Sequence, residues 1–133
     1  MSVKACVLVV DDQEDIRDTL REVIELAGCE ALAAANGVEA LQVLEHHRPC
    51  LIVLDLLMPV MGGEEMLDEL RKQPDLAEVP VLISTSAPSL APAGVPVLPK
   101  PIDIVRLWDW MRRHCQCALD APRGLPGSAR ASD

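Results

Sequence analysis

Four short apolar runs in this chain each stop at a polar group, and that repetition constrains the fold more than anything else in the sequence. Residues 7–10 end in Asp11-Asp12, and residues 51–54 end in Asp55. Residues 80–83 end in Ser84-Thr85-Ser86, and residues 95–98 end in Pro99-Lys100-Pro101. An ionised carboxylate is costly to desolvate, so it does not close an apolar run without partners. If the runs are parallel strands, their ends share one edge of a sheet, where α/β proteins place their sites. Three carboxylates, a hydroxyl and an ammonium on that edge point to a divalent metal beside a phosphoryl-accepting aspartate.

The segments between these runs carry helical periodicity. Ile16, Leu20, Val23, Ile24 and Ala27 recur at helical spacing, which predicts an amphipathic helix over 14–27, stopped at Gly28. A weaker, Ala-rich strand is expected over 30–35. Asn36 with Glu39 three residues on resembles a capping box and opens a second helix carrying Val38, Leu41 and Leu44. Gly62-Gly63 precedes a third helix with Met66, Leu67 and Leu70, and residues 74–79 read as a loop. Asp103 caps a final helix bearing Val105, Leu107, Trp108 and Met111. Trp108 and Trp110 are two apart and cannot share a helix face, so one of them is expected to be exposed to a partner.

Strand and helix alternate throughout, so the expected class is α/β with a doubly wound parallel sheet of five strands. Two regions break the rhythm. Residues 85–94 hold two prolines and a glycine, which oppose a full helix and predict an irregular connection or one short turn. Residues 118–133 lack periodicity and read as a disordered tail, leaving 1–117 as one domain.

Composition narrows the function. Half of the 133 residues are hydrophobic, with no Phe or Tyr and two Trp, so the core must be aliphatic. A formal charge of -9 argues against direct nucleic-acid binding, which needs a basic footprint. No apolar stretch approaches the roughly 18 residues of a membrane span, and no signal peptide opens the chain, so a cytoplasmic location is the default expectation. The five cysteines do not form a disulfide framework on this reading. Cys6, Cys29 and Cys50 are taken as small buried hydrophobes. His114-Cys115-Gln116-Cys117 and His46-His47 with Cys50 lack the paired spacing of a structural zinc site, and both read as solvated helix ends.

From about residue 5 to 115 the chain resembles the receiver domain of bacterial two-component response regulators. The matching pieces are Val-Leu-Val-Val-Asp11-Asp12, Leu-Asp55-Leu-Leu-Met-Pro59-Val-Met-Gly-Gly63, Pro80-Val-Leu-Ile-Ser-Thr85 and Leu-Pro-Lys100-Pro101. Any one alone carries little. Asp11-Asp12 would serve equally as an acidic helix start, and a lone Lys100 would be a solvated surface lysine. All four in order, each at a strand end, make the resemblance specific.

The resemblance implies a flavodoxin-like strand order of 2-1-3-4-5, with the helix between the fourth and fifth strands truncated or absent here. It implies a signalling protein that promotes only its own phosphorylation and dephosphorylation. Asp55 would accept the phosphoryl group from a sensor histidine kinase or phosphotransfer protein. Asp11, Asp12, Asp55 and the Leu57 backbone carbonyl would hold Mg2+, or Mn2+. Lys100 and Thr85 would contact the phosphoryl oxygens, Thr85 being preferred over Ser84 and Ser86 for its place five residues after Pro80. The Lys100–Pro101 bond is expected to be cis. Leu57 and Ala87 stand where family members tune dephosphorylation, and neither side chain can hold a water, so a long-lived phosphorylated form is expected. Val97 stands where the family has an aromatic residue, so the signal is expected to leave through residues 86–98 and the last helix toward a downstream protein target not named by the sequence. The chain reads as a stand-alone receiver or one excised from a hybrid kinase or larger regulator.

Two other classes compete. A haloacid-dehalogenase-like phosphatase also pairs an aspartate nucleophile with Mg2+ and lysine, but it wants a D-x-D pattern, and Asp11 and Asp12 are adjacent. A degenerate receiver serving only as a docking module would not keep the acidic pair, Asp55, Thr85 and Lys100 together.

Overall fold

A computed structural model describes residues 5–118. Five parallel strands form one sheet in the order β2-β1-β3-β4-β5. They are β1 (Cys6–Val10), β2 (Glu30–Ala34), β3 (Leu51–Asp55), β4 (Val81–Thr85) and β5 (Val97–Pro99). The helices are α1 (Glu14–Leu26), α2 (Gly37–Leu44), α3 (Gly63–Arg71), α4 (Pro74–Ala77) and α5 (Ile104–His114).

The central strands are apolar at successive positions because both of their faces are covered. Side chains alternate across a strand, and the core divides accordingly. Val7, Val9, Leu51 and Val53 pack with Leu20, Val23 and Ile24 of α1 and with Leu107 and Met111 of α5. Leu8, Val10, Ile52 and Leu54 pack with Ala40 and Leu44 of α2 and with Met66, Leu67 and Leu70 of α3. The result is three layers, helix–sheet–helix.

Local chemistry sets the boundaries. Gly28 ends α1 with φ of 97°, a conformation that side chains resist. The Asn36 side chain accepts from Glu39 N, and the Glu39 carboxylate accepts in turn from Ala35 N. Asp103 accepts from Arg106 N at the start of α5. The Lys100–Pro101 peptide is cis, as expected.

Several expectations need correction. Residues 74–77 form the short helix α4 instead of a loop. Pro74 occupies a first-turn position, where a missing N–H costs nothing, and Leu76 is buried. β5 begins at Val97, two residues later than expected, because Pro96 has no N–H to give a ladder. Between β4 and β5 there is one 3-10 turn, Pro88–Leu90, as the prolines required. Neither tryptophan is exposed: both are half-buried against the α1–α5 side of the core. The Trp108 indole donates to Val23 O at 2.9 Å, while Trp110 stacks on His114 and lies under Arg113.

The largest correction concerns the cysteines. Cys29 is bonded to Cys117 and Cys50 to Cys115, leaving Cys6 as the free, buried thiol among the described residues. Cys115 and Cys117 are therefore not a solvated helix end. The partners lie 88 and 65 residues apart in sequence, so no local spacing reveals them. Ala118, at the end of a 3-10 turn over Gln116–Ala118, is buried. The rest of the expected tail, from residue 119, lies outside the described residues.

Candidate functional site

Strand register brings the polar run-ends together. Val10 pairs with Leu54, and Asp55 pairs with Ser84, so Asp11 follows β1 beside the end of β3. Thr85 pairs with Pro99, which sets Lys100 one residue beyond β5 on the same edge. Lys100 N donates to Thr85 O at 2.9 Å and ties the two strand ends.

Asp11, Asp12 and Asp55 can each offer a carboxylate oxygen within 4.8 Å of the others. Lys100 Nζ lies 2.9 Å from Asp11 Oδ2 and 3.5 Å from Asp55 Oδ1. Asp11 and Asp55 are buried, whereas Asp12 is exposed. The other Asp11 oxygen, Oδ1, accepts from Gln13 N at 2.9 Å. Arg17 donates to the Asp11 main-chain carbonyl at 2.8 Å, a contact that nothing in the sequence singles out.

Both Ser84 and Thr85 are buried, and Ser86 is exposed. Thr85 Oγ1 accepts from Ala87 N at 3.0 Å, a turn that fixes the hydroxyl and leaves its proton to donate. Ser84 Oγ has no hydrogen-bond partner among the described residues. Leu57 follows β3 by two residues, and its side chain is exposed. Glycine at position 63 lets α3 start hard against the end of β3: a Cβ there would lie 2.6 Å from Asp55 O.

Electrostatics at this edge are unbalanced, with three carboxylates facing one ammonium. Burial raises the Asp55 carboxyl to about 6; the Asp11 charge adds to the rise, Lys100 opposes it, and Asp12 adds a smaller rise. A raised acid pKa means that the fold favours the protonated form. That stability is present below about pH 4 and is lost as pH rises through about 6. We therefore expect Asp55→Asn to be more stable than wild type in metal-free buffer above pH 7, by up to about 3 kcal/mol. The gap should close toward pH 4. Urea melts in chelator at both pH values measure it, and a variant no more stable at either would contradict this account of the site.

The donor set suits a hard divalent cation. Its oxygens are carboxylates, it carries excess negative charge, and Asp12 faces solvent, where a partly hydrated ion can reach it. Mg2+ or Mn2+ would be held by Asp12 and Asp55, with Asp11 alongside.

A five-stranded parallel sheet with this order, carrying acidic, hydroxyl and lysine groups on its C-terminal edge, defines the receiver class of signalling domains. The sequence matches the response regulator receiver domain over residues 7–109, and the chain belongs to that family. It is 35% identical over 113 residues to the response regulator MprA of Mycobacterium sp. (strain KMS), covering 80% of this chain and 48% of the relative. It is 39% identical over 83 residues to a probable transcriptional regulator, ycf27, of Porphyridium aerugineum, covering 62% of this chain and 33% of the relative. This chain thus spans less than half of each of these two curated relatives. Among solved structures, the Vibrio cholerae chemotaxis protein CheY4 aligns with a TM-score of 0.73 at 30% identity, covering 84% of this chain and 99% of that one. The signal receiver domain of a signal transduction histidine kinase from Syntrophus aciditrophicus aligns with a TM-score of 0.74 at 29% identity, covering 92% and 96%.

Proposed function

We propose that Asp55 is the phosphoacceptor of this receiver domain. The observation that carries the reading is the buried Asp55 carboxylate beside the Lys100 ammonium and the Asp11–Asp12 pair. An Asp55 oxygen attacks the phosphorus of a phosphohistidine on a sensor kinase or phosphotransfer protein. A P–O bond forms, the donor P–N bond breaks, and the histidine leaves with a proton. Lys100, already within reach of both Asp11 and Asp55, pairs with the incoming phosphoryl oxygens. The Thr85 hydroxyl donates to them as the second contact. Asp11, Asp12, Asp55 and the Leu57 carbonyl would hold Mg2+, which would offset the charge between carboxylate and donor.

The domain spans residues 1–117 and works in the cytoplasm, signalling to a protein target without touching nucleic acid itself. It promotes its own phosphorylation and dephosphorylation. Val97 offers no ring to swing, so the response travels through residues 86–98 and the neighbouring end of α5.

Intact-mass spectrometry after incubation with acetyl phosphate and Mg2+ tests the acceptor. Wild type should gain one phosphoryl group and Asp55→Asn none; equal labelling of the two would remove the assignment. The lifetime of the product is a separate expectation. Leu57 and Ala87 cannot position an attacking water by their side chains, so Leu57→Asn or Ala87→Glu should speed dephosphorylation about tenfold or more. Decay rates unchanged in both variants would show that water reaches the acyl phosphate by another route.

A further inference from the structure

At the edge of the sheet opposite the carboxylates, four of the five cysteines meet. Cys29 immediately precedes β2, Cys50 immediately precedes β3, and Cys115 and Cys117 follow α5. We propose that these four cysteines form a second input site, a thiol–disulfide switch that exchanges electrons with dithiols and disulfides and decides whether the segment after α5 is pinned to the sheet.

Each bridge joins a buried residue to a half-buried one. Cys29 and Cys115 are buried, while Cys117 and Cys50 are half-buried. Reductant therefore reaches Cys117 and Cys50 first. A dithiol's thiolate attacks the Cys117 sulfur, forming a mixed disulfide and releasing Cys29 as a thiolate. The second thiol of the reductant then displaces Cys117 and leaves as the cyclic disulfide. Two electrons and two protons pass to the protein for each bridge opened. Closing the bridges returns them to a disulfide oxidant such as oxidised glutathione.

The two bridges are also placed to act together. The sulfurs of Cys50, Cys115 and Cys117 lie within 4.8 Å of one another. Freeing Cys117 thus puts a thiolate beside the Cys50–Cys115 bridge, where it can attack in turn. The reduced state is provided for as well: the Cys50 sulfur lies 3.2 Å from the Cys6 carbonyl, an acceptor for the S–H that reduction creates. Cys6 itself stays outside the exchange. Burial, and then the Glu30 charge, push its thiol pKa up and keep it protonated.

The bridges hold a segment that otherwise ends the described fold. The Cys117 carbonyl is so close to residue 28 that a Cβ there would lie 3.0 Å from it, a fit that opening the Cys29–Cys117 bridge releases. A zinc site is the competing use of such sulfurs. The mutually close set holds Cys50, Cys115 and Cys117 without Cys29, one thiolate short of a closed tetrahedral site built from cysteines alone.

The test uses the purified full chain, poised with oxidised glutathione or with dithiothreitol, then unfolded, labelled with maleimide and weighed. We expect one label on the oxidised protein, at Cys6, and five on the reduced protein. Peptide mapping should find Cys29 joined to Cys117 and Cys50 to Cys115. Hydrogen exchange at residues 112–118 should be about tenfold faster or more once the bridges are open. The double variant Cys29→Ser/Cys50→Ser should exchange quickly with or without reductant. The wild-type measurements stand by themselves should that variant fail to fold. Five labels after oxidised glutathione, an exchange rate that ignores the bridges, or one tightly held zinc with thiols that resist oxidation would each overturn the proposal.

Discussion

Excess EDTA, or Asp12→Ala, is expected to slow labelling by acetyl phosphate about 100-fold or more near neutral pH. The reason is charge. Asp11, Asp12 and Asp55 converge within 4.8 Å, and Lys100 is the one cation ion-paired with the Asp11 and Asp55 carboxylates among the described residues. An anionic phosphoryl donor cannot approach such a cluster unless a cation offsets it. Both oxygens of Asp11 already have partners, Gln13 N and Lys100 Nζ, whereas Asp12 is exposed. Asp12 is therefore the carboxylate most available to a metal, and its loss should weaken metal binding more than the loss of one charge from the edge would suggest. Titrating Mg2+ against the labelling rate separates the two effects. Asp12→Ala should need far more Mg2+ to approach the wild-type rate. Undiminished labelling in excess EDTA would refute metal dependence outright.

Gly63→Ala should destabilise the fold by about 2–4 kcal/mol, although alanine is the better helix former. A Cβ at position 63 would lie 2.6 Å from Asp55 O and 2.9 Å from Leu56 Cα. Both neighbours are backbone and cannot rotate away, so α3 and the end of β3 must separate. The Gly63 N–H donates to Leu56 O at 2.9 Å, and that bond would be strained by the same movement. Because the strand end that moves carries Asp55, labelling should fall as well. Gly62→Ala is the control: its nearest neighbour would be Leu56 O at 3.4 Å, ordinary contact, and its cost should stay below about 1 kcal/mol. Denaturant melts of the two variants compare them directly, and equal costs would show that close packing at position 63 is not what ties α3 to the end of β3.

Most elements, and the polar run-ends that meet at one edge of the sheet, were legible in the linear chain. Strands 1, 3 and 4 are continuous apolar runs because both faces are covered, and such runs are readable without a structure. Their polar ends are readable for the same reason: Asp11, Asp55 and Thr85 interrupt a pattern that burial otherwise enforces. Proline chemistry was legible too, in the missing helix between β4 and β5, whereas the loop expected over 74–79 holds the short helix α4. A proline that stops one helix can start another, and only the burial of Leu76 decides which.

Other features exist only because distant residues meet in the folded chain. The Asp11–Lys100 pair spans 89 residues and forms because β5 returns to the edge that β1 ends on. The Asp55 pKa follows from that convergence and from burial, neither of which a linear pattern carries. Trp108 is covered because Val23 O, on another helix, accepts its N–H. The cysteines show the limit most clearly. Cys29, Cys50, Cys115 and Cys117 look unrelated in sequence, and their pairing was set only when the 2-1-3 strand order and the return of α5 brought three separate chain segments to one edge. Sequence spacing encodes local geometry; pairing across a sheet depends on the whole path of the chain between.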